Sequence, residues 1–89
     1  MREVYGIAAF RSRQQVLHFE DSLRREGLHV GVVTTPRAIA MGCGLSVRFE
    51  IGDTDKVRWM LRRANPGNLI GLFRVDQSGQ RPMITPIQR

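Results

Sequence analysis

The amino-acid sequence predicts an α+β fold of the ferredoxin-like kind, a four-stranded antiparallel sheet with two helices on one face. The first observation is the element order: apolar and β-branched runs alternate with stretches of helical periodicity as β-α-β-β-α-β. The second is the number and length of the helices, because two helices of this size most commonly pack together against one sheet. The third is the chain length of 89 residues, which suits one domain with a modest core.

The first half of the chain predicts a strand, a helix and a second strand. Val4–Phe10 is apolar and bounded by charged residues, as is typical of a central strand. Ser12 is the predicted N-cap of the helix, and Gln15 completes a capping-box pattern. Gly27 is a natural end for this helix. Residues 28–34 are rich in valine and indicate the second strand.

The middle of the chain predicts a short helical turn and a third strand. Pro36 is favoured in a first helical turn, so we expect a turn over residues 36–41 that ends at Gly42. Apolar and polar residues then alternate from Leu45 onward, which predicts a strand over residues 44–51.

The remaining residues predict a second helix, a fourth strand and a tail. The helix has apolar residues with the spacing i, i+3, i+4, i+7, namely Val57, Met60, Leu61 and Ala64. It ends in the breaker sequence of residues 65–68, and residues 69–75 read as the fourth strand. We therefore predict a domain over residues 1–77. Residues 78–89, with two prolines and no periodicity, are predicted to be a flexible or extended tail.

Composition limits the classes of function. The formal net charge of +6 comes almost wholly from arginine, with Lys56 as the single lysine, and this charge suits anionic partners. No apolar run approaches the length of a membrane span, so we expect no membrane partner. One cysteine cannot form an internal disulfide, which favours the cytoplasm. His18 and His29 lack the spacing of metal ligands, and no metal or other cofactor is expected.

The only cysteine, Cys43, is the candidate reactive group, and its thiol is expected to be exposed. It stands between Gly42 and Gly44 at the mouth of the third strand, a favoured place for a functional side chain. In the predicted topology the end of the first strand lies beside the start of the third, and the first helix begins there. The groups expected near the thiol, or able to bind an anion or a partner there, are Arg11, Ser12, Arg13, Arg37 and Arg48. Positive surroundings favour the nucleophilic thiolate. The alternative is a small, inert cysteine in a turn.

The same region resembles a known family. Thr35-Pro36-Arg37, followed by Cys43-Gly44-Leu45 and then by Arg48-Phe49, is similar to the T-P-R…C-G-L-x-x-R-F signature of the bacterial selenium/sulfur carrier protein-like family. The likeness covers residues 4–75, and the tail lies outside it. Family members often have serines just before the cysteine, whereas residues 40–42 here are Ala-Met-Gly.

The resemblance implies a carrier rather than a self-sufficient enzyme. Such a carrier holds sulfur or selenium on Cys43 as a persulfide or selenosulfide and delivers it to a partner enzyme. Donor and acceptor enzymes are therefore the expected partners. Gly42 and Gly44 would allow a partner's sulfur to approach closely.

Two alternatives stay open at this point. A nucleic-acid-binding module would stack bases on aromatic residues of the central strands, where Tyr5 alone is a weak platform, so nucleic acid is the less favoured partner. A regulatory module without chemistry at Cys43 would use an interaction surface. Trp59 points away from the apolar stripe of its helix and is the candidate partner contact. The uncovered sheet face makes a homodimer plausible.

Overall fold

One antiparallel sheet and two helices make up the fold in the computed structural model, which describes residues 3–39 and 42–88. The strands are β1 (Val4–Phe10), β2 (Val30–Thr34), β3 (Leu45–Glu50), β4 (Leu69–Asp76) and β5 (Met83–Ile87). The helices are α1 (Arg13–Arg25) and α2 (Thr54–Ala64), and a 3₁₀ turn, Ile51–Asp53, precedes α2. The sheet order is β2-β3-β1-β4-β5. The predicted α+β class is confirmed.

The sheet has five strands where four were predicted. The additional strand, β5, comes from the predicted tail and lies extended along β4, with Ile87 opposite Leu72 and Met83 opposite Asp76. Pro86 cannot donate a backbone hydrogen bond, which a central strand would need, but β5 is at the sheet edge, where proline is tolerated. The two prolines concealed this strand, and pairing with β4 stabilises it.

β1 is the central strand around which the sheet is built. It pairs with β3 on one side and with β4 on the other. The prediction that the first and third strands are neighbours is confirmed. Ala8 and Phe10 face the helices, and both belong to the main hydrophobic core. Gly6 has a packing role, because a Cβ atom there would clash with the ring of Phe49 on β3.

Both helices cover the same sheet face. Val16, Phe19 and Leu23 of α1 are buried, and so are Val57 and Leu61 of α2, and all five join the core that contains Ala8 and Phe10. The rings of Phe10 and Phe19 lie 5.6 Å apart between centroids. The predicted N-cap is confirmed, since the Ser12 hydroxyl accepts a hydrogen bond from the Gln15 amide.

The apolar stripe of α2 is only partly used by the core. Val57 and Leu61 are buried as predicted, whereas Met60 is half-buried and Ala64 is exposed. Both Met60 and Ala64 line a groove between the two helices. Part of the predicted stripe therefore has no covering element.

The predicted helical turn over residues 36–41 is replaced by a single turn. The Ile39 amide donates to the Pro36 carbonyl at 3.0 Å, and no helix follows in the described part of this loop. Ala40 and Met41, where the turn was expected to end, lie outside the described residues. Adjacent antiparallel strands require the loop to reverse direction, and β2 and β3 already pair through Thr34 and Leu45. A tight turn satisfies this constraint better than a helical segment.

We predict that Ile87→Ala lowers the free energy of unfolding by about 1–2 kcal/mol, because Ile87 is half-buried against the core. Truncation of a fully buried isoleucine to alanine has a larger effect. Met83→Ala in the same strand, 69% exposed, is expected to change it by less than about 0.5 kcal/mol. Urea denaturation of the two variants measures this. Equal effects would show that β5 contributes nothing through its contact with the core.

Candidate functional site

The loop that carries Cys43 is attached to the end of β1. The Cys43 amide donates to the Phe10 carbonyl at 3.3 Å, and the next residue, Arg11, donates its amide to the Asn68 carbonyl at 2.7 Å. Asn68 lies just after α2. Three segments therefore meet at one end of the sheet, and the predicted proximity of Phe10 to Cys43 is confirmed. We call this region, residues 10–13, 35–39, 42–44 and 62–68, the cysteine end.

The base of the loop is closed by two further hydrogen bonds. The Thr35 amide donates to the Gly44 carbonyl at 2.8 Å, which extends the β2–β3 ladder by one step. The Thr35 and Ser46 hydroxyl oxygens lie 2.6 Å apart, and Ser46 is fully buried. Both strands thus hold the loop, so that the position of Cys43 is set by the sheet.

Gly42 and Gly44 are required by the backbone. Their φ angles are +112° and +85°, in the region that glycine adopts readily and other residues do not. A Cβ atom at Gly42 would lie 2.7 Å from the Phe10 carbonyl oxygen and 2.6 Å from Ile70 Cδ1, whereas a Cβ at Gly44 would meet nothing within 4 Å. Gly42 therefore allows the loop to contact β1, and the space beside Gly44 is open.

The thiol is half-buried, not fully exposed as the sequence predicted. Cys43 packs against the core, and its Sγ lies 3.7 Å from the Leu45 carbonyl oxygen, to which the thiol donates a weak hydrogen bond. The contact with β1 at Gly42 explains this burial, since it brings the loop down onto the end of the strand. Within residues 3–39 and 42–88, no guanidinium group is hydrogen-bonded to the sulfur.

Carboxylates are absent from the sequence around this end. The three stretches 4–19, 27–49 and 56–75 contain no Asp or Glu. All eight acidic residues belong to the second half of α1 or to chain positions at the opposite end of the sheet: Glu3, Glu20, Asp21, Glu26, Glu50, Asp53, Asp55 and Asp76. The direction of each element produces this separation, because β1, β2 and α2 run toward the cysteine end and α1, β3 and β4 run away from it.

Arginines at the cysteine end keep their charge unneutralised. The five are exposed, and none is ion-paired within the described residues: Arg11, Arg13, Arg37, Arg62 and Arg63. Six other cations pair with the carboxylates: Arg24 with Glu20, Arg25 with Asp21, Arg48 with Glu3, Lys56 with Glu26, Arg58 with Asp55, and Arg74 with Asp76. Among the described residues, the cysteine end thus combines five unpaired arginines with no carboxylate. We call these five side chains the arginine pole.

A protein-family model described as "Putative Se/S carrier protein-like" matches residues 5–67. The chain belongs to this family. The match includes β1 to β3, both helices and the whole Cys43 loop, while β4 and β5 lie beyond it. No curated protein and no solved structure matches the chain.

Arg48 is a predicted site residue of this carrier-like chain that the structure places elsewhere. It lies on the sheet face opposite the helices, ion-paired with Glu3, and its guanidinium carbon is 4.0 Å from the centre of the Tyr5 ring. Because side chains alternate along a strand, Arg48 points away from the helix side that buries Val47 and Phe49. Its charge is already paired, and we assign it no part in the chemistry of Cys43.

The other predicted site residues stand at or near the cysteine end. The hydroxyl oxygen of Ser12 accepts the capping hydrogen bond from the Gln15 amide, so its role in the structure is to cap α1. Trp59 is 46% exposed, as predicted, with Lys56 Nζ and Arg63 Cζ 5.0 and 4.8 Å from its ring centre. The sequence did not indicate Thr35 and Ser46 as site residues. Ser46 alternates with the apolar residues Leu45 and Val47 of its strand, a pattern that predicts a side chain facing solvent. Only the pairing of β2 with β3 brings these two hydroxyls together.

The described residues offer no metal centre. Across residues 3–39 and 42–88, no three side chains of His, Cys, Asp or Glu converge on one point. In the same part of the chain, neither helix has the length and apolar character needed to cross a membrane.

We predict that Gly42→Ala lowers the free energy of unfolding more than Gly44→Ala does. The second substitution introduces only an unfavourable φ angle, which costs about 1–2 kcal/mol. The first adds a clash with a backbone carbonyl, and we expect it to release the loop from β1 and to accelerate labelling of Cys43 by neutral iodoacetamide. Urea denaturation and labelling rates test both statements. Indistinguishable variants would contradict the assigned role of Gly42.

Proposed function

We propose that this protein carries sulfur or selenium on Cys43, as a persulfide or selenosulfide, and passes it to a partner enzyme in the cytoplasm. The observation that supports this function best is that the single thiol and the arginine pole share one end of the domain, where the converging segments contain no carboxylate. Membership of the carrier-like family points the same way. The order of β1 to β4 supports the ferredoxin-like assignment of the fold, with β5 added at one edge.

The transfer step requires no oxidant. The Cys43 thiolate attacks the outer sulfur of a donor persulfide, R–S–SH. A new S–S bond forms to Cys43 while the donor S–S bond breaks, and the donor leaves as the thiolate R–S⁻. The sulfane sulfur is thus exchanged between two thiols with no net redox change. Delivery is the same reaction in the opposite sense, with an acceptor thiolate attacking the outer sulfur, and R–S–SeH reacts by the same scheme.

The arginine pole favours the anionic donor and the terminal persulfide anion. Arg11 and Arg13 flank the start of α1, and Arg37 belongs to the turn in the Cys43 loop. Their positive charges attract an anionic donor and stabilise the terminal persulfide anion, more strongly at low ionic strength. The open space beside Gly44 supplies a route by which a partner's sulfur reaches the half-buried thiol.

The surroundings of the thiol support a carrier more than a self-sufficient enzyme. The hydrogen-bond partner of Sγ among the described residues is a backbone carbonyl, and no carboxylate is available in the three converging stretches. The partner enzymes would therefore supply the acid–base chemistry.

A nucleic-acid-binding or regulatory module is the alternative function. The arginine pole would attract a phosphate backbone, but this attraction alone gives only non-specific affinity. Specific single-strand binding on a sheet needs exposed aromatic faces, and one face of the Tyr5 ring is already covered by Arg48. A homodimer through the uncovered sheet face also lacks support. Among the residues that the structure describes, the large apolar side chains that are exposed, Leu17, Val32, Trp59 and Met83, all lie off that face.

We expect the intact mass of the protein to rise by about 32 Da after incubation with a cysteine desulfurase and cysteine, or by about 79 Da with a selenium donor. Cys43→Ser is expected to show no gain, and dithiothreitol should remove the gain from the wild type. An equal adduct on the serine variant, or no adduct on the wild type, would refute carriage on Cys43.

We also predict that the arginine pole controls reactivity by charge. The double variant Arg11→Gln/Arg37→Gln should react about two- to fivefold more slowly with an anionic aromatic disulfide at low salt. The reason is that each exposed arginine contributes a fraction of a kcal/mol to the attraction of the anionic reagent. Its reaction with neutral iodoacetamide should change less. Arg24→Gln/Arg25→Gln removes the same charge from paired arginines remote from the thiol, and serves as the control. The same rate for both double variants would show that position within the pole is irrelevant.

A further inference from the structure

A groove runs between the two helices on the outer side of the domain. Its volume is about 400 Å³, and its walls are formed by one face of α1 and by the side of α2 that turns toward α1. On α1 the lining residues extend from Gln15 to Glu26. At 1.5 Å per residue this is about 17 Å, a length that matches three turns of another helix.

The α2 wall of the groove is mainly apolar and no element of the described chain covers it, while the α1 wall adds Phe19 among the polar residues Gln15, His18 and Ser22. Trp59, Met60 and Ala64 of α2 face Phe19 of α1 across it, and Pro66 closes one end. Met60 and Ala64 belong to the apolar stripe that a core-facing helix would bury, yet Ala64 is exposed and Met60 half-buried. An exposed tryptophan in a concave apolar surface is typical of a protein-binding hot spot.

The charges along the groove are unequal at its two ends. At the Pro66 end, Arg63 lines the groove and stacks on Trp59, and it is not ion-paired within the described residues. At the opposite end, the carboxylate of Glu26 is 3.3 Å from Lys56 Nζ and is thereby neutralised. An occupant would therefore meet positive charge at the Pro66 end and a near-neutral rim at the other.

The positive end of the groove opens at the cysteine end. Pro66 is two residues from Asn68, whose carbonyl accepts a hydrogen bond from the Arg11 amide. The residue before Arg11 is Phe10, whose carbonyl accepts a hydrogen bond from the Cys43 amide. Two hydrogen bonds thus connect the mouth of the groove to the thiol loop. A partner seated in the groove would have its end at this mouth placed near Cys43.

We infer that the groove docks an acidic amphipathic helix of the enzyme that exchanges sulfur with Cys43. The apolar side of that helix packs on Trp59, Met60 and Ala64, and its carboxylates meet Arg63 at the Pro66 end. The identity of the partner as a sulfur-exchanging enzyme rests on the proposed function. The chemistry of the docking helix rests only on the groove and its charges.

The test uses the fluorescence of Trp59, the only tryptophan, as a direct report on the groove. The probe is a synthetic peptide of about 15 residues with leucine at helical i, i+4, i+7 and i+11 positions and mostly glutamate elsewhere. The control peptide has the same composition in an order that breaks the apolar stripe. We expect the patterned peptide to shift the Trp59 emission to shorter wavelength and to bind at least tenfold more tightly than the control. Equal binding of the two peptides would overturn the proposal.

Ala64→Arg separates groove docking from simple charge attraction. This variant fills the groove while adding a positive charge, so docking predicts at least tenfold weaker binding, whereas attraction to charge alone predicts tighter binding. Arg63→Gln should also weaken binding, and more than the matched control Arg25→Gln, which removes one charge from a paired arginine outside the groove. Circular dichroism confirms that each variant is folded. If Ala64→Arg binds the peptide as well as the wild type does, the groove is not the site.

Two further measurements distinguish the possible failures. A single-stranded oligonucleotide of the same charge should bind more weakly than the patterned peptide, and tighter oligonucleotide binding that Ala64→Arg strengthens would assign this face to nucleic acid instead. All titrations are repeated on Cys43→Ser, for which docking predicts unchanged affinity. Peptide binding without any persulfide on Cys43 would refute the carrier function and leave the docking groove intact, and the reverse result would refute only the groove.

Discussion

The seating of the Cys43 loop on the last carbonyl of β1 is the constraint on which the site depends. The hydrogen bond from the Cys43 amide to the Phe10 carbonyl forms only because residue 42 has no Cβ to clash with that carbonyl. The same contact half-buries the thiol and positions it beside the start of α1. Partial burial shields the sulfur from oxidants in solution. The open space beside Gly44 keeps it accessible from that side.

The separation of charge is a consequence of topology acting on the sequence. Each acidic residue lies in the second half of α1 or at one end of a strand or helix, and the alternating directions of the elements collect these positions away from Cys43. The carboxylates are largely occupied in ion pairs with nearby cations. The arginine pole is left with uncompensated repulsion, which opposes compact folding and strengthens attraction to anions. Such an arrangement is disadvantageous for stability and favourable for binding.

Helix α2 packs one side against the core and leaves apolar residues on another side at the surface. Val57 and Leu61 complete the core, whereas Met60, Ala64 and Trp59 leave apolar area exposed toward α1. A stability-driven sequence would close this groove or make it polar, because exposed apolar area in a concave surface promotes association. The Pro66 end of the groove and the arginine pole lie at the same end of the domain.

The sequence by itself determined the local features of this protein: the positions of β1 to β4 and of both helices, the Ser12 cap, the burial of Val57 and Leu61, the exposure of Trp59 and the choice of Cys43 as candidate group. These follow from periodicity, capping and turn chemistry, which act over a few residues. Tertiary structure alone decided that Ile87 would join the sheet beside Leu72, that Cys43 would be half-buried, and that Arg48 would pair with Glu3 on the far face. Each of these depends on contacts between residues distant in the chain, whose register is fixed by strand pairing and by the shape of the core.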